Sequence, residues 1–221
     1  MNTLRWIGRP RVRAALLFSS MAIVAVGCSF LGKPAPDDSS YFVLSSSPLE
    51  VGAAVARTRS DIHFGIGPVK LPSYLASQSL VVTGSNGSVQ YFPHSFWAEP
   101  LAESFSRALL YRTGARLGTT HAIAYPWYST TRVDWKVPVD VLRFEATSDG
   151  RAVLVVRWSV QRTSDAQTMA ATESVIEEQT GLEPEAVVDG LNRCVERLAE
   201  TLATAIASSA DATQRANSRK P

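Results

Sequence analysis

Beyond Tyr41 the chain switches repeatedly between a hydrophobic period of two and one of three to four, and each switch predicts an element. "YFVLSS" at 41–46 is a short strand candidate. Ile62, Phe64 and Ile66 alternate along a second one, which Gly67-Pro68 is expected to end. "SLVVT" and "SVQYF" flank Gly84-Ser85-Asn86-Gly87, the pattern of two strands joined by a glycine-containing hairpin turn. The period then lengthens. Trp97, Leu101, Phe105, Ala108 and Leu109 recur every three to four residues, so "WAEPLAESFSRALLYRT" predicts an amphipathic helix running to Gly114. Pro100 is expected in its first turn, where a missing amide costs nothing. Trp97 and Leu101 open the apolar face of this helix and are expected in the core.

After the aromatic loop "YPWY", Val133, Trp135, Val137, Val139 and Val141 alternate, and Ala152, Leu154, Val156, Trp158 and Val160 do so beyond Ser148-Asp149-Gly150. Two long strands joined by a turn follow. "TMAATESVIEE" is expected to return antiparallel beside them. Val187, Val188, Leu191, Val195, Leu198, Leu202 and Ile206 then mark one face of a final helix. Pro184 starts it, with Glu183 and Glu185 placed favourably on the helix dipole. The fold class expected is α/β: a single layered domain with a mixed, largely antiparallel sheet packed against helices.

The two ends of the chain lack this patterning. Arg5, Arg9, Arg11 and Arg13 precede an uncharged run, Ala14 to Val26, which is shorter than the roughly 20 residues that span a bilayer. This is the layout of a secretory signal, assigned to residues 1–27. In "AVGC" small residues lead directly to a cysteine, and the segment resembles a bacterial lipobox that would leave Cys28 as an acylated N-terminus. Stable attachment needs two or more acyl chains, each buried CH2 contributing about 0.8 kcal/mol. Ser29, rather than an aspartate, follows and favours the outer membrane. Residues 28–40, with their Pro, Gly, Ser and Asp, are expected to form a lipidated flexible tether, residues 41–207 the domain, and residues 208–221 a disordered tail.

Removing the signal changes the charge. The whole chain has 22 basic and 20 acidic residues; losing four arginines leaves 18 against 20, so the mature chain is slightly acidic. Its basicity resides in the signal and gives no reason to expect nucleic acid as a partner. Cys28 and Cys194 are the only cysteines, so lipidation of the first leaves no disulfide framework, and Cys194 falls on the apolar face of the last helix as a small hydrophobe.

The search for chemistry returns little. His63, His94 and His121 lie far apart without the carboxylate or cysteine spacing of a metal site. No G-x-S-x-G elbow occurs, and "GIGPVKLP" lacks the third glycine and following helix of a dinucleotide site. Glu99, Glu103 and Arg107 are read as a solvated charged stripe. Tyr125, Trp127, Tyr128 and Trp135 are read as a packed loop anchor, with a ligand platform as the alternative. No enzyme activity and no cofactor are expected.

"GPVKLPSYL" at 67–75, "FWAEPL" at 96–101, "YPW" at 125–127 and "VDVLRFEA" at 139–146 occur in an order that resembles the ABC-type transport auxiliary lipoprotein family. Ala76, Ser77 and Gln78 stand where that family often has Asp-Arg-Pro, and Phe96 stands where it often has Arg. The resemblance implies an outer-membrane lipoprotein facing the periplasm, an auxiliary subunit of an intermembrane lipid (phospholipid) transport system. Its implied partners are a mammalian-cell-entry (MCE) domain protein and inner-membrane transporter subunits. Transport energy would come from other subunits, since this chain carries no P-loop. Homo-oligomerisation into a ring is one form that docking could take, and a structural or assembly lipoprotein of another envelope complex is the alternative function. The expected partner-binding loop is Lys70, Pro72, Tyr74 and Leu75. It leaves a strand through Gly67-Pro68 and Pro72, and a stiffened turn loses little entropy on docking.

Overall fold

The computed structural model describes residues 38–44, 59–128 and 130–219. The signal segment, Cys28 and the tether up to residue 37 lie outside the described residues. The elements in chain order are β1 (Ser40–Phe42), β2 (Phe64–Lys70), a 3-10 turn (Ser73–Ala76), β3 (Ser79–Thr83), β4 (Val89–Trp97), α1 (Leu101–Leu117), β5 (Ala122–Ala124), β6 (Trp135–Thr147), β7 (Arg151–Arg162), β8 (Thr168–Gln179) and α2 (Pro184–Ser218). Among the described residues no helix is long and apolar enough to cross a membrane.

β6 is the spine of the sheet. One edge pairs antiparallel with β7, which pairs antiparallel with β8, so the three long alternating segments form a meander. The other edge is shared. β2 runs parallel along Trp135–Asp140 and β3 parallel along Ala146–Thr147, so the sheet forks into a β2–β5 branch and a β3–β4–β1 branch. The antiparallel pairs β6–β7 and β7–β8 carry the longest registers, and the parallel pairs are short; the sheet is mixed, and the class is α/β.

Both helices cover one face. α1 lies on β2 and β5, α2 lies across β7 and β8, and the two pack against each other. Val137, Val139 and Val141 point toward this layer. A register shift between Val141 and Arg143 then reverses the parity, so that Phe144 and Ala146 point inward instead. Phe144 meets Phe105 of α1 edge to face at 5.1 Å. Phe64, Leu154, Val156, Leu198 and Leu202 complete a core without solvent contact, each burial contributing roughly 1.5–3 kcal/mol.

Several boundaries differ from the sequence expectation. Of the strand expected at 41–46, Tyr41 and Phe42 lie in β1 (Ser40–Phe42), Val43 and Leu44 lie beyond it, and residues 45–46 fall outside the described residues. β2 does not end at Gly67-Pro68 but passes through that cis peptide to Lys70, with a register shift between Ile66 and Val69 that lets the proline into the strand. Trp97 is buried as expected, but as the last residue of β4: its N–H donates to the Gln78 carbonyl at 2.6 Å, which holds it in the strand layer. Pro100 consequently caps α1 from outside its first turn. Gly114 does not stop α1. The helix continues to Leu117 and closes at Gly118 with φ 69, while a Cβ at Gly114 would stand 3.1 Å from the Thr119 carbonyl as the chain folds back. The residues expected as a disordered tail from 208 instead continue α2 to Ser218, where Asp211 pairs with Arg59 at 3.0 Å and Thr213 accepts from Arg162 at 3.0 Å.

Candidate functional site

The loop expected to bind a partner divides in two. Lys70 is exposed at the end of β2, on the sheet face away from the helices, and Pro72 is half-buried. The 3-10 turn that follows points its next residues inward. Leu75 is 2% exposed and belongs to the hydrophobic core, so the expectation of an exposed apolar anchor is corrected; its burial anchors the turn to the sheet. Tyr74 is half-buried, and its hydroxyl donates to Glu145 Oε2 at 2.7 Å.

Glu145 is the residue that sequence reasoning passed over. It lies on β6 at 1% exposure and accepts from the Phe144 N–H at 2.8 Å and from Arg143 Nε at 2.7 Å as well as from Tyr74. Arg143 also donates to Thr83 Oγ1 at 3.3 Å. A buried carboxylate is tolerated when its lone pairs are filled in this way. Burial and the neighbouring carboxylate raise the pKa of the Tyr74 hydroxyl. The signal available in the sequence was an acid inside a strand of alternating apolar residues. The bulge after Val141 hid it, because parity counted from Val133 places position 145 on the wrong face.

Beside Lys70 the open sheet face forms a groove of about 300 Å³ lined by Pro68, Pro138, Asp140, Arg157 and Ser159. Lys70 and Asp140 are paired positions of adjacent parallel strands, and Arg157 is opposite Asp140 on β7 while its guanidinium bonds Glu173 at 2.8 Å. The groove therefore offers charges of both signs around two prolines.

The aromatic loop packs on the same face. Trp127 lies over Gly65 so closely that a Cβ there would be 2.5 Å from the indole nitrogen. Tyr125 donates its N–H to the Ile66 carbonyl at 2.9 Å and meets Trp127 edge to face at 5.3 Å, while Lys136 Nζ sits 5.4 Å from the Trp127 ring. Trp135 is buried apart from this group, and Tyr128 is exposed. These contacts make Tyr125 and Trp127 a loop anchor.

Of the three histidines, the fold brings two together: His63 and His121 stack at 4.1 Å between ring centroids, with His121 Nδ1 2.9 Å from the Ser60 carbonyl. Burial first, then Arg132 and His121, hold His63 below the ordinary histidine value against Asp134 and Asp61. Among the described residues no group of three or more His, Cys, Asp or Glu is placed to hold a metal. Arg107 bonds Glu99, which precedes α1, rather than a residue one turn away. Cys194 is fully buried, and burial pushes its thiol up to about 12.

Comparison with solved structures finds this fold elsewhere. The crystal structure of an uncharacterized protein is 18% identical, with a TM-score of 0.60 over 76% of this chain and 98% of its own. A protein from Xanthomonas campestris is also 18% identical, with a TM-score of 0.57 over 69% of this chain and 88% of its own. At such identities the likeness is one of fold. No curated protein matches the chain significantly. A family profile, that of the ABC-type transport auxiliary lipoprotein component, matches residues 42–203, a span that takes in β2 to β8, α1 and the Tyr74–Glu145 contact. The chain thus belongs to the family of ABC-type transport auxiliary lipoprotein components.

Proposed function

We propose that the protein is a non-catalytic auxiliary subunit tethered by Cys28 to the outer membrane on its periplasmic side, where it docks on an MCE-domain partner of a lipid-transport system. Family membership supports the auxiliary role. The arginine-rich start, the uncharged run and "AVGC" support the anchor, and Ser29 supports the outer membrane. The MCE-domain partner comes from the resemblance of the four motifs. The observation that carries a docking role is the open groove at the end of β2, where Lys70, Asp140 and Arg157 stand around Pro68 and Pro138 on the face that neither helix covers.

The docking surface proposed from the structure keeps Lys70 and Pro72 and replaces the inward-facing Tyr74 and Leu75 with this groove. Charges at such a surface act more on orientation and encounter than on total affinity, and the rigid strands beneath leave little to order on binding. The test is capture of a co-expressed MCE-domain protein from crosslinked membranes. Lys70→Glu should lower capture several-fold while leaving the melting transition in place. Undiminished capture by the folded variant would remove the groove from the interface, and absence of capture by the unaltered protein would remove the MCE-domain partner.

A further inference from the structure

The inward face of α2 changes chemistry along its length. Leu191, Val195, Leu198, Leu202 and Ile206 recur every three to four residues and are buried against the sheet. The same face continues through Ala210, Thr213 and Asn217, with Gln214 alongside, so the apolar stripe gives way to hydroxyl and amide groups. These last turns overhang the end of the sheet, where β2 and β6 begin and β7 ends, and enclose with it a cleft of about 820 Å³.

Trp135 lies on the cleft floor beside Ile62 and Val133. It is 5% exposed, yet its indole N–H has no acceptor among the described residues, whereas a buried indole N–H ordinarily finds one. Among those residues the one side-chain polar atom sealed from solvent without a partner is Thr113 Oγ1, so the Trp135 nitrogen is open to solvent, and the cleft is the cavity its ring lines. We propose that the cleft binds a neutral oligosaccharide, the Trp135 N–H donating to a sugar oxygen at the floor and the Gln214 and Asn217 amides bonding hydroxyls at the rim. Of the four aromatics read from the sequence as loop anchor or ligand platform, Trp135 then takes the second role.

The charges on the lining select against an ionic ligand. They are Asp61, Asp134, Arg132 and Arg162, two of each sign. Each already has a partner in the chain: Arg132 pairs with Asp134 at 2.9 Å, Asp61 with Arg59 at 3.1 Å and Arg162 with Asp165 at 2.7 Å. An anion or a cation would have to displace one of these partners and would meet no net field in return. A sugar hydroxyl donates and accepts at once, so it uses the lone pairs and N–H groups that the ion pairs leave over. Gln214 and Asn217 add a carbonyl and an amino group each, and neither side-chain amide is bonded within the described residues. The floor residues are at most 7% exposed and offer a hydrocarbon chain little surface.

The walls are held in place by the protein itself. Asp211 with Arg59 and Thr213 with Arg162, both at 3.0 Å, tie the end of α2 to the sheet. On the opposite side the Thr163 N–H donates to the Asp134 carbonyl at 2.9 Å and joins the end of β7 to the segment before β6. Little remains to be ordered when a ligand enters. The volume falls in the upper part of the roughly 300–1,000 Å³ typical of ligand sites, which suits several linked sugar rings better than one.

The cleft shares no lining residue with the groove beside Lys70, so the proposal does not rest on the docking role. It is tested on the full chain extracted from membranes, titrated with maltotriose, cellotriose and tri-N-acetylchitotriose while the indole N–H signals are followed by NMR. The Trp135 signal is assigned by its loss in Trp135→Phe. At least one trisaccharide should shift that signal more than the other indole signals. Its calorimetric Kd should rise about tenfold in the double variant Gln214→Ala, Asn217→Ala, which loses two neutral hydrogen bonds at exposed positions and keeps the fold. If Trp135→Phe does not fold, the calorimetric comparison with the double variant decides alone. No binding of any of the three at about 10 mM, binding that the double variant leaves unchanged, or a response to inorganic phosphate or dihexanoylphosphatidylcholine alone would overturn the proposal.

Discussion

The Tyr74 hydroxyl and the Glu145 carboxylate, 71 residues apart in sequence, are joined by a hydrogen bond of 2.7 Å. The first belongs to the turn after β2 and the second to β6, so this bond fixes the 3-10 turn to the spine of the sheet. It explains why a loop rich in docking-type residues is only partly available for docking.

Tyr74→Phe removes one donor from a buried carboxylate and preserves the ring. A hydrogen bond to a charged group contributes roughly 1.5–3 kcal/mol. The variant should therefore lose about that amount in chemical denaturation, with a larger loss for Glu145→Ala, which leaves Arg143 and the Phe144 N–H without their acceptor. A Tyr74→Phe protein as stable as the parent would mean that water or Arg143 replaces the bond at no cost.

Gly65→Ala should displace Trp127, because the added methyl would occupy space now held by the indole. Overpacking of this kind costs typically 1–3 kcal/mol. Tryptophan fluorescence should shift toward that of an exposed ring, and the shift should vanish in a Trp127→Phe background. An unchanged spectrum would contradict the close packing of the aromatic loop on β2.

Acid should weaken the fold through His63. Its folded pKa is lowered from 6.5, chiefly by burial, with Arg132 and His121 adding to the effect and Asp134 and Asp61 opposing it. The unfolded chain then binds the proton more readily, so the contribution of this residue is complete above about pH 6.5 and is lost as pH falls through the lower folded value. Denaturation midpoints measured between pH 7.5 and pH 5 should fall with pH, and His63→Asn should flatten that fall. An equal slope in the variant would assign the pH dependence to other groups.

Cys28→Ala should accumulate as an unprocessed precursor that is not anchored by lipid, since the thioether requires the thiol. Intact mass measurement of the parent protein should find the mature chain beginning at an acylated Cys28. Cleavage elsewhere with an unmodified cysteine would overturn the anchor and, with it, the proposed location.

The β3–β4 hairpin, the β6–β7–β8 meander and the start of α2 were legible in the sequence because each is specified locally, by a period of two or of 3.6 and by turn residues between. Of the four residues expected to contact a partner, the pattern placed Lys70 correctly at an exposed strand end but gave no sign that Leu75 is buried. What the tertiary structure decided is wherever a residue's face depends on a distant partner. Leu75 is buried because its turn lies on the sheet, and Trp97 is a strand residue because Gln78 supplies its acceptor. Glu145 points at Tyr74 because a bulge shifts the parity of β6 after Val141, and the last turns of α2 are helical with Arg59 and Arg162 against them. Local pattern fixes which elements a segment favours, but a single bulge or long-range hydrogen bond reassigns every side chain beyond it, and neither leaves a periodic trace in the chain.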